Sequence, residues 1–98
     1  MGDQVYIARE TVTIVNQRGL HARASAKFVN AVAKLPDSFT VMVAKDGTDA
    51  NGGSILGLMM LGAAKGDSVD VSVAGPEGES DAVLTKLTGL IKDGFGED

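Results

Sequence analysis

Two hydrophobic periods take turns along this chain, and their alternation constrains the fold more than any single residue does. The clearest stretch is "SVDVSVAG", residues 68–75, where Val69, Val71 and Val73 alternate with Ser, Asp and Ser. A period of two turns every second side chain to one face, as in a half-buried strand. The stretch that follows, "ESDAVLTKLTGLIKDGF", keeps another rhythm: Val83, Leu87, Leu90 and Ile91 fall on one side of a helix, with acids in its first turn where the helix dipole favours them. A strand hides one face and a helix hides one stripe, so each needs the other to pack against.

The rest of the chain repeats this exchange. "ETVTIV", residues 10–15, is β-branched, with Val12 and Ile14 on one face, and reads as a strand. "NQRG" is a loop. From His21 to about Lys34 the pattern is helical, with Ala24, Phe28, Ala31 and Val32 on one stripe. Pro36 stops it, because the residue before a proline avoids helical geometry. "SFTVMVAKDGTDAN" returns to alternation, with Phe39, Val41 and Val43 on one face. Asp46-Gly47 marks a hairpin turn, so a short strand should come back near Thr48–Ala50. "GGSILGLMMLGAAKG" predicts a short helix capped by Ser54 and closed by Gly62, with Ile55, Leu58 and Met59 on its apolar face. The order is βαββαβα in a single α+β domain spanning residues 1–98, with its core at about 10–92. The expected architecture is a four-stranded antiparallel sheet with three helices on one face, the other face being open to water.

Composition narrows the function. No apolar run reaches the roughly 18 residues of a membrane span. "MGDQVYIARE" lacks the basic and apolar regions of a signal peptide, which points to a cytoplasmic protein without membrane insertion. There is no cysteine, so disulfides and thiolate metal sites are excluded. The net charge is −4, and eight of the thirteen acids lie in residues 50–98. Such a chain is poorly suited to neutralising nucleic-acid phosphates.

The single histidine, His21, stands where the "NQRG" loop hands over to a helix. The first amides of a helix have no internal partner and carry partial positive charge, so an anion is stabilised there. Neutral imidazole is a nucleophile near pH 7, and a phosphoryl group on it would make that anion. The fork of Arg23 matches phosphate oxygens. Other roles fit the position too: a cap, a partner contact, or a general base. Metal binding has little support, because carboxylates without clustered spacing are the only other ligands.

The wording around this histidine carries more. "GLHARASAKFV" resembles the active-site signature of the HPr family of bacterial phosphotransferase-system phosphocarriers, Gly-Leu-His-x-Arg-Pro-Ala leading into a helix. "GGSILGLMMLG" is similar to the family segment around a regulatory serine. The resemblance covers about residues 10–92, and the element order matches the family's open-faced β-sandwich. One position departs: Ala24 stands where the family usually has proline. With "ASAKFV", this looks more like variants that serve regulatory, nitrogen-related chains.

The resemblance implies a carrier, not an enzyme, with no cofactor and no metal. His21 would take a phosphoryl group on Nδ1 from enzyme I and pass it to a histidine of an enzyme IIA component. Arg23 would steady the phosphate. Ser54 would be modified by HPr kinase/phosphorylase. Leu20, Ala24, Ile55, Leu58 and Met59 would form the partner-binding patch, on a monomer that meets several proteins in turn. Two alternatives remain beside it: a regulatory binding module of the same fold acting through phosphorylated Ser54, and a small enzyme using His21 as a base. The second lacks a companion acid or a nucleotide-binding loop.

Overall fold

Residues 5–97 are described here from a computed structural model; residues 1–4 and 98 of the expected domain lie outside them. The first strand, β1, runs from Val5 to Thr13. It begins earlier than the alternation of residues 10–15 predicts. Its inner face reads Ala8, Glu10, Val12, and the charged middle position disguises it. Glu10 is accommodated because its carboxylate receives Lys92 Nζ at 2.6 Å and the Thr88 hydroxyl at 3.3 Å. The strand ends at Thr13, yet Ile14 is fully buried and continues the seam through its own amide, which donates to the Asp67 carbonyl at 2.8 Å.

The remaining elements are α1 (Ala22–Ala33), β2 (Thr40–Lys45), β3 (Thr48–Asn51), α2 (Ile55–Met60), β4 (Ser68–Pro76) and α3 (Ser80–Lys92). The order is βαββαβα. The four strands pair antiparallel in the order β1-β4-β2-β3. Asp46 and Gly47 both have positive φ, as a tight two-residue hairpin requires, and they join β2 to β3.

The core lies between the sheet and the helices. Val69, Val71 and Val73 are buried, with Val41 and Val43 beside them. Phe28 and Ala24 of α1 fill the space over the sheet, joined by a fully buried Ser25, while Ala31 and Val32 are only half-buried. The buried stripe of α3 is turned from the one predicted: Leu84, Leu87, Thr88 and Ile91 face inward, and Val83 and Leu90 lie at its margins. Thr88 is admitted because its hydroxyl donates to the Leu84 carbonyl within the helix.

One core residue escapes the periodic pattern. After α3, a 3-10 turn at Gly94–Gly96 buries Phe95. Gly94, Phe95 and Gly96 all have positive φ, at 64°, 58° and 73°. Glycine tolerates that region freely, whereas phenylalanine adopts it only where packing compels it.

Candidate functional site

The site is built on the loop between β1 and α1. Asn16 is buried, and its Nδ2 donates to the Gly19 carbonyl at 2.9 Å and to Glu97 Oε1 at 3.0 Å. Both partners are acceptors, so the orientation of the amide is fixed. Gly19 sits at φ +64°, and a Cβ there would lie 2.3 Å from the Ala63 carbonyl oxygen. That close approach lets the Leu20 amide donate to the same oxygen at 2.9 Å. The loop is thereby tied to the segment leaving α2.

His21 follows as the N-cap of α1, with extended backbone (φ −75°, ψ 179°). Its carbonyl accepts the first intrahelical bond, from the Ser25 amide, and its Nδ1 accepts from the Arg23 amide at 3.3 Å. The ring therefore does the work that Ser, Asp or Asn does at other helix starts. Its other nitrogen, Nε2, lies 2.7 Å from Glu97 Oε2. An amide only donates and an ionised carboxylate only accepts, so the two contacts agree on one tautomer: lone pair on Nδ1, hydrogen on Nε2. Glu97 is held ionised below the usual glutamate value. The Asn16 hydrogen bond is the main cause, followed by the bond to His21, and partial burial opposes them.

The other predicted residues divide into two groups. Arg23 is exposed, and among the described residues its guanidinium enters no ion pair. Ser54 is the N-cap of α2, its hydroxyl accepting the Gly57 amide at 2.9 Å. Ile55 and Met59 are exposed. Leu20, Ala24 and Leu58, by contrast, are core residues and present no side chain to a partner. The exposed apolar surface of α2 is made instead by Ile55, Leu56, Met59 and Met60, the last of these 75% exposed. A six-residue helix lying on the domain can turn only one side inward, and Leu58 takes that place. α1 starts at Ala22 without the family's proline, capped by the histidine itself.

Sequence reasoning missed Asn16 and Glu97. Neither belongs to a periodic stretch, and 81 positions separate them. The one local signal was "GFG" just before Glu97, two glycines around an aromatic residue.

Residues 8–93 match the family described as PTS-HPr, the PTS HPr component phosphorylation site. The chain belongs to the HPr family of phosphotransferase-system phosphocarriers. It is 42% identical to the phosphocarrier protein HPr of Neisseria meningitidis over 91% of this chain and 96% of that one. It is 33% identical to the phosphocarrier protein NPr of Escherichia coli over 92% and 97% of the two chains. The crystal structure of an HPr from Thermoanaerobacter tengcongensis superposes with a TM-score of 0.77, at 34% identity, over 93% of this chain and 98% of that one. Among the described residues no helix is long and apolar enough to cross a membrane.

Proposed function

We propose that the protein is a cytoplasmic phosphoryl shuttle in which His21 Nδ1 receives a phosphoryl group from a phosphohistidine of enzyme I and delivers it to a histidine of an enzyme IIA component. The observation that carries this reading is the cap geometry. Nδ1 holds a lone pair directed at the Arg23 amide in the first turn of α1. When that weak 3.3 Å bond opens, the lone pair can attack phosphorus, and the phosphoryl group then lies against the positive end of the helix, where the same amide can donate to its oxygens. In each transfer the acceptor nitrogen forms a new bond to phosphorus while the donor's phosphorus–nitrogen bond breaks, its electron pair returning to the donor ring. One such bond replaces another of the same kind, so the step runs in either direction. Arg23, exposed in the first turn of α1 and without an ion pair among the described residues, is the residue whose guanidinium would steady the phosphoryl oxygens.

The exposed Ile55, Leu56, Met59 and Met60 supply an adaptable apolar surface for successive partners, for which methionine is well suited. Ser54, at the start of that surface, is the proposed target of HPr kinase/phosphorylase, and its phosphate would hinder docking. The shuttle acts as a monomer. Relatives named HPr and NPr both match over nine-tenths of the chain, which supports a carrier in either a sugar or a nitrogen-related phosphotransferase chain.

The test is incubation with enzyme I and radiolabelled phosphoenolpyruvate. Wild type takes up acid-labile label, and His21→Ala takes up none while keeping its fold. Acid-labile label on His21→Ala refutes the proposal.

A further inference from the structure

Resting on the reading of His21 as phosphoryl acceptor, the structure raises a second matter: what keeps one particular ring nitrogen nucleophilic. We propose that Glu97 is a positioning residue for phosphotransfer, holding His21 in the Nε2–H tautomer and balancing the charge of its phosphorylated ring. Its carboxylate is not a loose surface group. One oxygen takes the Asn16 amide at 3.0 Å and the other faces His21 Nε2 at 2.7 Å. The backbone that delivers it is anchored twice. Phe95 is buried in the core, and its carbonyl accepts Lys27 Nζ of α1 at 2.6 Å. Three consecutive left-handed residues turn the chain from α3 back toward the loop before α1. The non-glycine among them is Phe95, whose packing holds it in that disfavoured region.

The chemistry follows from where the hydrogen sits. Free imidazole exchanges its single N–H between two nitrogens, and only the nitrogen without it can attack phosphorus. The carboxylate keeps the hydrogen on Nε2 and also stops the ring from flipping. Nδ1 then attacks the phosphorus of a phosphohistidyl donor. The new bond forms as the donor's phosphorus–nitrogen bond breaks with its pair going to the donor ring. Nε2 retains its hydrogen, so the His21 ring becomes cationic, and Glu97 is the counter-charge already in contact with it. When the phosphoryl group moves on, the electron pair returns to Nδ1 and the ring is neutral again.

The experiment compares wild type with Glu97→Ala and Glu97→Gln in the full chain. Ring-nitrogen NMR of the unphosphorylated protein in its neutral-imidazole form reads the tautomer. Transfer from phosphorylated enzyme I gives kcat and KM, and phosphoramidate serves as a chemical donor that needs no protein docking. Wild type should show a single Nε2–H tautomer and Glu97→Ala a mixture of the two. Glu97→Ala should lower kcat roughly tenfold, the factor for one hydrogen bond to a charged group. KM should stay within about twofold, as for an interaction made with the reacting group and not with the partner. Phosphoramidate should show the same loss. Glu97→Gln keeps one acceptor but replaces the other with a donor and removes the charge, so it should recover only part of the single tautomer and part of the rate. A wild-type tautomer pattern in Glu97→Ala with an unchanged phosphoramidate rate overturns the proposal, and so does a rise in KM at constant kcat. If wild type reacts with phosphoramidate but not with enzyme I, the shuttle reading fails while the tautomer result still decides the role of Glu97.

Discussion

Gly19→Ala tests how the reactive loop is held. Two separate costs meet at this position. The backbone lies at φ +64°, and an L-residue in the left-handed region costs about 1–2 kcal/mol. The new methyl would also stand 2.3 Å from the Ala63 carbonyl oxygen and 2.9 Å from Ala64 Cα. Both are backbone atoms, so no flexible side chain can yield. The loop must move away and the Leu20–Ala63 hydrogen bond is lost, adding about 1 kcal/mol. The total is about 2–3 kcal/mol, or a fall in Tm of about 10–20 °C for a domain of this size. Gly62→Ala is the matched control. It has φ +66° with no atom within 4 Å of its Cβ position, so it carries the backbone cost alone. Its Tm should fall by about 5–10 °C. Thermal unfolding followed by circular dichroism reads both, and phosphotransfer from enzyme I at a temperature where both variants are folded reads the loop. Gly19→Ala should lose transfer and Gly62→Ala should keep it. Equal Tm losses in the two variants would refute the argument, because they would leave the contact with Ala63 without effect.

Ser54→Ala should cost about 1 kcal/mol by removing the cap of α2, measurable by denaturant unfolding. Ser54→Asp should keep or slightly raise stability while slowing phosphorylation by enzyme I, with the phosphoramidate rate unchanged; a slower phosphoramidate rate counts against a docking effect. Arg23→Ala should lower the transfer rate within the bound complex more than it weakens enzyme I affinity, as single-turnover kinetics and calorimetry would show. Glu10 is held below its ordinary value of 4.5, first by the hydrogen bond from Lys92, with burial opposing. A depressed folded pKa adds stability above the unfolded value and loses it as pH falls through the folded one. Glu10→Gln should therefore lower stability at neutral pH and flatten its decline below about pH 4.5, and an unaltered acid limb in urea titrations contradicts this.

The fold was legible because the apolar positions keep their period wherever an element faces the core. Val69, Val71 and Val73, or Ala24 and Phe28, could have been placed from sequence with little else. Legibility failed where a polar residue occupies an inward position with a private partner. Glu10 hid the first half of β1 because its partner, Lys92, is reached only in three dimensions. Thr88 turned the apparent stripe of α3 because its hydroxyl is satisfied within the helix by the Leu84 carbonyl, so a polar residue can face inward. The site divides in the same way. His21 and its helix start follow from local chemistry, and Ser54 is readable as a cap. The split between exposed and buried residues of α2 was not, since "SILGLMML" is apolar nearly all round and no pattern says which side turns inward. Glu97 was beyond reach, because it meets His21 only through the left-handed turn that Phe95 anchors.

The strand order has a kinetic consequence. β2 and β3 meet across a two-residue turn, but β1 and β4 lie side by side with most of the chain between them, Val5 opposite Pro76. Closing a long loop must precede any reward from its contacts, so the β2–β3 hairpin can form early and the β1–β4 seam closes late. That seam continues past the ladder through Ile14, whose amide and carbonyl bond to Asp67 and Gly66, and the next turn of chain is the Asn16–His21 loop. The loop is thus set by a long-range pairing and not by the local hairpin. Until that seam closes, the chain has an imidazole but not the helix-cap position in which His21 is held in the finished fold.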